Sequence, residues 1–218
     1  MSDFVQNFLV PTKTVYVEWV VIAVIAIGSF LATRKMKEVP GMVQNVAEVG
    51  IGRLYRFFEE IMGKETKRYF PVLATFFIFI VFCNYTGEMP FAGWKYPVAT
   101  SHLAVTVALG LCGFIFIHAS GIKRKGIKHY ILGTFKPVAF LFPLTILEQL
   151  VRPLSLSLRL YGNIYGEDMV TESLYGMVPI ALPWLMNVLS LMFCLIQAMV
   201  FTMLLAIFVS EAVETEEE

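Results

Sequence analysis

Arg159 lies in an apolar run of a long predicted helix, with Leu158, Leu160 and Tyr161 as close neighbours. Wound at 100° per residue, Glu148, Arg152, Ser155, Arg159, Asn163 and Gly166 fall within about 80° of one another. They form one polar and small-residue stripe on a helix otherwise built of Leu, Ile and Tyr. Glu167 and Asp168 point away from that stripe. The next helix carries a milder stripe of Asn187, Ser190, Cys194, Gln197 and Phe201. Facing each other, the two stripes could line a polar path through an apolar slab. The chemistry open to such a set is ion transfer and charge stabilisation.

An arginine at mid-bilayer costs from about 2.5 to well over 10 kcal/mol, and it cannot escape by losing its proton. It must face protein, water or a counter-charge. Positions 155, 156, 162 and 163 are Ser, Leu, Gly and Asn, so no carboxylate sits one turn away. Either Glu148 or Asp168 folds back to it, or the counter-charge belongs to a partner. The bland alternative is an arginine that snorkels to the interface or pairs within the chain. Gly162 and Gly166 argue against it, because small residues beside Arg159 let another helix approach closely. Glu148 and Arg152 are spaced as an i,i+4 pair worth a few tenths of a kcal/mol.

The elements that must position this stripe are helices. The 218 residues are 57% hydrophobic and 16% charged, against about 25% charged in soluble domains, and the mean hydropathy is +0.70. A crossing helix needs roughly 20 mostly apolar residues. We expect an all-α polytopic membrane protein of one domain, with about five membrane helices and one amphipathic surface helix. The first span is 15–33, followed by a surface helix over 40–63. In the latter, Val43, Val46, Ala47, Ile51, Leu54, Phe57, Phe58 and Ile61 recur at helical spacing among charged residues. A helical hairpin follows at 69–86 and 101–120, with Trp94 and Tyr96 as interface aromatics between its arms. Two long helices, 137–177 and 183–212, close the chain, the first broken by Pro153. The uncharged stretch 184–209 would be roughly 39 Å long against about 30 Å of hydrocarbon, which suggests strong tilt. The start of the chain lacks a basic region and small-residue cleavage site, so the first span reads as retained.

Charge placement orients the chain. Of 17 basic residues, 13 fall on one side of these spans: Arg34, Lys35, Lys37, Arg53, Arg56, Lys64, Lys67, Arg68, Lys123, Arg124, Lys125, Lys128 and Lys136. By the positive-inside rule that side is cytoplasmic, the N-terminus is outside, and the acidic tail from Glu211 to Glu218 is inside. The zero net charge offers nothing to nucleic acid. Cys83, Cys112 and Cys194 have neither disulfide nor zinc spacing. The chain also lacks H-E-x-x-H, G-x-S-x-G and a P-loop. Its three histidines are not clustered: His102 and His129 read as interfacial and His118 as a helix-end residue.

The run from Pro153 to Asn163, P-L-S-L-S-L-R-L-Y-G-N, resembles the core motif of subunit a of the F-type ATP synthases. Asn84-Tyr-Thr-Gly87 ahead of Pro90, Ile146-Leu-Glu-Gln149, and Gln197-Ala-x-x-Phe201 also match that family. The resemblance implies a stator subunit in the membrane sector of a rotary motor. Arg159 would face the ion-carrying carboxylate of the rotating c-ring, with Gln197 and Asn163 beside it. Arg152 falls where the family often has Lys, near a cytoplasmic half-channel. Asp168, with Glu167 adjacent, falls at the acidic or histidine position of the outer half-channel. Ser190 departs from the His or Glu often found there. Glu88, His102 and Glu172 are further candidates for the outer route. The resemblance implies no cofactor and no covalent chemistry in this chain, only a translocated ion, H⁺ or Na⁺. Implied partners are the c-ring, peripheral-stalk b subunits, other ATP synthase subunits and the lipid bilayer. The expected location is the bacterial inner membrane or an organelle equivalent. A stand-alone ion transporter or channel is the competing reading, against which no paired inverted halves are visible.

Overall fold

The computed structural model describes residues 12–34, 41–88, 100, 102–127, 130, 142–175 and 181–214. These residues are helical, and the protein is an all-α polytopic membrane protein. In chain order the helices are α1 (Thr12–Arg34), α2 (Met42–Met62), α3 (Thr66–Glu88), α4 (Leu103–Lys125), α5 (Phe142–Tyr175) and α6 (Ala181–Val213). A single 3-10 turn, Gly63–Glu65, joins α2 to α3. Trp94, Tyr96, Lys35, Lys37, Lys95, Lys128, His129, Lys136 and Glu216 to Glu218 lie outside the described residues.

Local chemistry sets the helix ends. Gly63 terminates α2 with φ +57, a conformation L side chains rarely adopt. Thr66 then starts α3, its hydroxyl donating to the Gly63 carbonyl at 2.7 Å. Gly126, at φ +81, ends α4. Just before it, Lys123, Arg124 and Lys125 occupy the last turn, where cations suit the helix dipole. Arg124 pairs with Glu65 at 2.9 Å, tying the α2–α3 corner to the end of α4.

Pro153 does not break α5, which runs unbroken from Phe142 to Tyr175 with the proline inside it. The ring removes one N–H from the helical ladder. The Pro153 carbonyl, however, accepts the Ser157 hydroxyl at 2.8 Å. Helix α4 also packs directly on this turn.

Among the described residues, four segments are long and apolar enough to cross a membrane: Val15–Arg34, Gln44–Thr86, Leu103–Lys125 and Val188–Val213. The second continues through α2, the Gly63 corner and α3. Helix α5 is not among them, because Glu148, Arg152, Arg159, Glu167 and Asp168 dilute its hydropathy.

Helix α6 is the hub, touching α2, α3, α4 and α5, while α1 packs on α3 through Val21 and Cys83. Phe201, Leu205, Ala206 and Val209 of α6 are fully buried in one core with Phe58, Leu73, Ile80 and Leu160. The second half of α2 therefore spends its apolar face on protein, through Leu54, Phe57, Phe58, Ile61 and Met62. Its first half leaves Met42, Val46 and Val49 exposed.

Glycine governs how closely α4 approaches its neighbours. A Cβ on Gly110 would lie 2.1 Å from Ser157 Oγ and 2.8 Å from the Pro153 carbonyl oxygen. On Gly113 it would meet only the tip of Leu205, at 3.2 Å. Gly110→Ala therefore forces α4 and α5 apart at the proline turn and should destabilise by about 1–3 kcal/mol. Gly113→Ala should have a smaller effect, and thermal unfolding of the two variants in detergent checks the order.

Candidate functional site

Helix α5 presents two faces. Leu156, Ser157, Leu160 and Ile164 are buried against the bundle. Leu154, Leu158, Arg159, Gly162, Tyr165, Gly166, Met169 and Val170 are exposed. Arg159 makes no ion pair or hydrogen bond among the described residues. Nothing lies within 4 Å of a Cβ built on Gly162 or Gly166, so the surface beside the guanidinium is open to a closely packed helix. The stacked rings of Tyr161 and Tyr165, 5.2 Å apart, lie along the same helix.

Glu148 does not fold back on Arg159. It is held by Arg152 at 2.7 Å, and Arg152 is also bound by Glu211 of α6 at 2.8 Å. The Arg152 guanidinium stacks over the Phe208 ring, 4.6 Å from its centroid. This knot pins α5 to α6 seven residues, or roughly 10 Å of helix, before Arg159.

On the other side of Arg159, Asn163 donates its amide to Gln197 Oε1. Gln197 is 4% exposed, and its Nε2 is buried with no partner among the described residues. The two polar stripes thus meet at one point. Two other members of the α6 stripe meet α3 instead. The Cys194 carbonyl accepts from Asn84 of α3 at 3.5 Å, and Phe201 stacks on Phe76 of α3. The reason is that α6 sits between α3 and α5, so a single stripe cannot serve both. Ser190 is buried. The fully buried Asn84, which also accepts from Thr100 at 2.6 Å, locks α3 to α6 behind the site.

Two cavities flank the arginine. One, of about 160 Å³, is lined by His118, Tyr130, Glu148, Arg152 and Glu211 among others. The second, of about 460 Å³, lies between α5 and α6 and is lined by Asn163, Gly166, Glu167, Phe193 and Gln197 among others. Arg159 falls between them in the sequence of α5. Asp168 and Glu172 are on α5, Glu88 ends α3 and Asn187 is on α6, but their side chains lie outside the described residues. His102 sits just before α4 and lines neither cavity.

His118 is not a helix-end residue. It lies inside α4, with seven residues to Lys125, because the helix continues through the basic cluster. Its Nδ1 is 2.7 Å from the Tyr130 hydroxyl. Burial pushes the Tyr130 phenol up, with Arg152 pulling weakly the other way, so the phenol keeps its proton at neutral pH. Sequence reasoning missed Tyr130 and Glu211 as partners in this cavity. Glu211 was visible only as the start of an acidic tail, and nothing in the spacing joins residue 130 to residue 118.

The "ATP synthase A chain" family matches residues 15–210. ATP synthase subunit a of Moorella thermoacetica is 41% identical, over 92% of this chain and 90% of that protein. The subunit a of Geobacter sulfurreducens is 36% identical over 90% of this chain and 85% of its own length. A subunit a of Syntrophotalea carbinolica is 35% identical, over 90% and 83% respectively.

The Asn163–Gln197 bond predicts an asymmetry. Asn163→Leu strands a buried amide and should destabilise by about 1–3 kcal/mol. Gln197→Leu removes that amide and leaves only the exposed Asn163 to be solvated, so it should be milder. Thermal unfolding of the purified variants in detergent measures both.

Proposed function

This chain belongs to the ATP synthase A chain family, and we propose that it couples ion flow to rotation through Arg159, as the stator wall against a ring of carboxylate-bearing subunits. One observation carries the reading: Arg159 is exposed, has no counter-charge among the described residues, and falls along α5 between two cavities whose walls include charged and amide side chains. The counter-charge is the ring's carboxylate, presented by each subunit in turn. The open surface at Gly162 and Gly166 gives the ring helix room to approach.

The electrostatics follow. In the hydrocarbon a carboxylate travels neutral, since the charged form is penalised by several kcal/mol. Beside Arg159 the ionised form is favoured and its pKa falls, so the proton is released there. Reloading occurs on the other side of the arginine. The cavity at Asn163, Glu167 and Gln197 is the outer access route, with Asp168 on the same turn. The cavity at Glu148, Arg152 and Glu211 is the inner one. Because the guanidinium keeps its charge, no ion passes from one cavity to the other without a turn of the ring. Each charge crossing delivers about 2.3 kcal/mol per 100 mV. Gln197, held by Asn163, lines the outer cavity close to this transfer point, and Ser190 is buried about two turns earlier on the same helix.

The N-terminus is outside and the C-terminus cytoplasmic in a bacterial inner membrane. Arg124–Glu65 and Arg152–Glu211 then both lie on the cytoplasmic side, in keeping with the basic clusters around them. The transported ion is the proton, and the ligands that would select Na⁺ belong to the ring. Peripheral-stalk b subunits would hold the chain against the torque.

Arg159→Ala should abolish ATP synthesis and ATP-driven pumping in membrane vesicles while the complex still assembles. Coupled synthesis retained by that variant would overturn the reading. Pumping by the wild-type complex should persist in Na⁺-free medium, and a strict Na⁺ requirement would replace the proton as the ion.

A further inference from the structure

The wall of the inner cavity is drawn from four parts of the chain. His118 reaches it from α4, Tyr130 from the segment beyond Gly126, Glu148 and Arg152 from α5, and Glu211 from α6. These are the titratable and charged groups among the described residues that line it. Both carboxylates are committed to Arg152, at 2.7 and 2.8 Å. With a neutral imidazole the cavity carries one net negative charge, and an imidazolium brings it to zero. His118 is the lining side chain whose ordinary titration falls near neutral pH, about 6.5.

The imidazole is held in place. Its Nδ1 lies 2.7 Å from the Tyr130 hydroxyl, and its ring meets the edge of Phe114 with centroids 4.1 Å apart. Room for the Tyr130 ring exists because residue 121 is glycine: a Cβ there would come within 2.4 Å of Tyr130 Cε2. With Nδ1 engaged by Tyr130, Nε2 is the ring atom left for the cavity. Arg152 Nε, also in this region, is a buried donor with no partner among the described residues. The cavity, of about 160 Å³, has room for water between these groups.

We propose that His118, oriented by Tyr130, is the proton-collecting group of the inner cavity, passing protons between cytoplasmic water and the water chain that leads past Arg152 to Arg159. This rests on the proposed function. When the complex pumps outward, an N–H bond forms at Nε2 as a hydronium gives up its proton. The same bond breaks as the proton moves on to the next water. The ring returns to its starting tautomer, with Nδ1–H donated to Tyr130, and no other bond changes.

The test is ATP-driven proton uptake by inverted vesicles holding the intact complex, with the medium on the cytoplasmic face taken from about pH 5.5 to 8.5, around the ordinary histidine titration. The variant-to-wild-type rate ratio is read at each pH, so the shared catalytic sector cancels. For His118→Gln the ratio should be near one at the acid end, where hydronium supplies the path directly. It should fall about tenfold toward the alkaline end, where a collecting base matters most. Tyr130→Phe, which keeps the ring and removes the hydroxyl, should show the same trend at smaller amplitude. A ratio that stays near one throughout, or one depressed equally at every pH, would overturn the relay, the latter marking His118 as structural. Arg159→Ala run in parallel separates the two levels. If it still pumps, the underlying reading fails; if it is dead while the His118→Gln ratio stays flat, only the relay fails.

Discussion

A guanidinium keeps its charge under any condition a cell provides, and Arg159 holds that charge on an exposed helix face with no carboxylate partner among the described residues. The rest of the structure can be read as what that constraint requires. Burying the charge without a partner would cost several kcal/mol. Pairing it within the chain would remove it from use. Glu148 and Glu211 are both drawn to Arg152 instead. One arginine holds both of these carboxylates, and the other has no ion pair among the described residues.

Holding such a charge in position falls to α6. It is in contact with α2, α3, α4 and α5, and its buried side, from Cys194 through Phe201 to Val209, is continuous with the main core. Two polar ties then fix α5 against it, the Arg152–Glu211 pair on one side of Arg159 and the Asn163–Gln197 bond on the other. Between them Leu156, Leu160 and Ile164 supply apolar packing. Gly110 lets α4 close on α5 at Pro153 and supports the same stretch from behind. The exposed side of α5 is left as leucine, tyrosine and glycine, a surface on which a neighbouring helix can slide.

The sequence made the arginine legible because intramembrane charge is rare and position-specific, and because the motif around it is dense. Helix existence was likewise written in long apolar runs. What the sequence obscured came from tertiary choices. Pro153 signals a break, yet the helix continues through it, since Ser157 and the close α4 backbone support that turn. His118 looks like a helix end because basic residues follow it, but Lys123 to Lys125 are compatible with the last turn of α4. The polar stripe on α6 suggested a lining for α5, whereas its members divide between α3 and α5. Residue 130 has no sequence signal linking it to 118, because that contact depends on the Gly126 turn and on the space left by Gly121.

The central claim is that the partner of Arg159 is a charge on another subunit passing over the exposed face of α5. Cysteine cross-linking reads that face directly. In the intact complex, with Cys83, Cys112 and Cys194 replaced, single cysteines are placed at Leu158, Gly162 and Gly166 and, as the opposite face, at Leu156, Leu160 and Ile164. A second cysteine goes beside the carboxylate of the ring subunit. Rapid disulfide formation is expected from 158, 162 and 166 and none from 156, 160 and 164. Cross-links from the buried set, or none from the exposed set in an assembled complex, would contradict it.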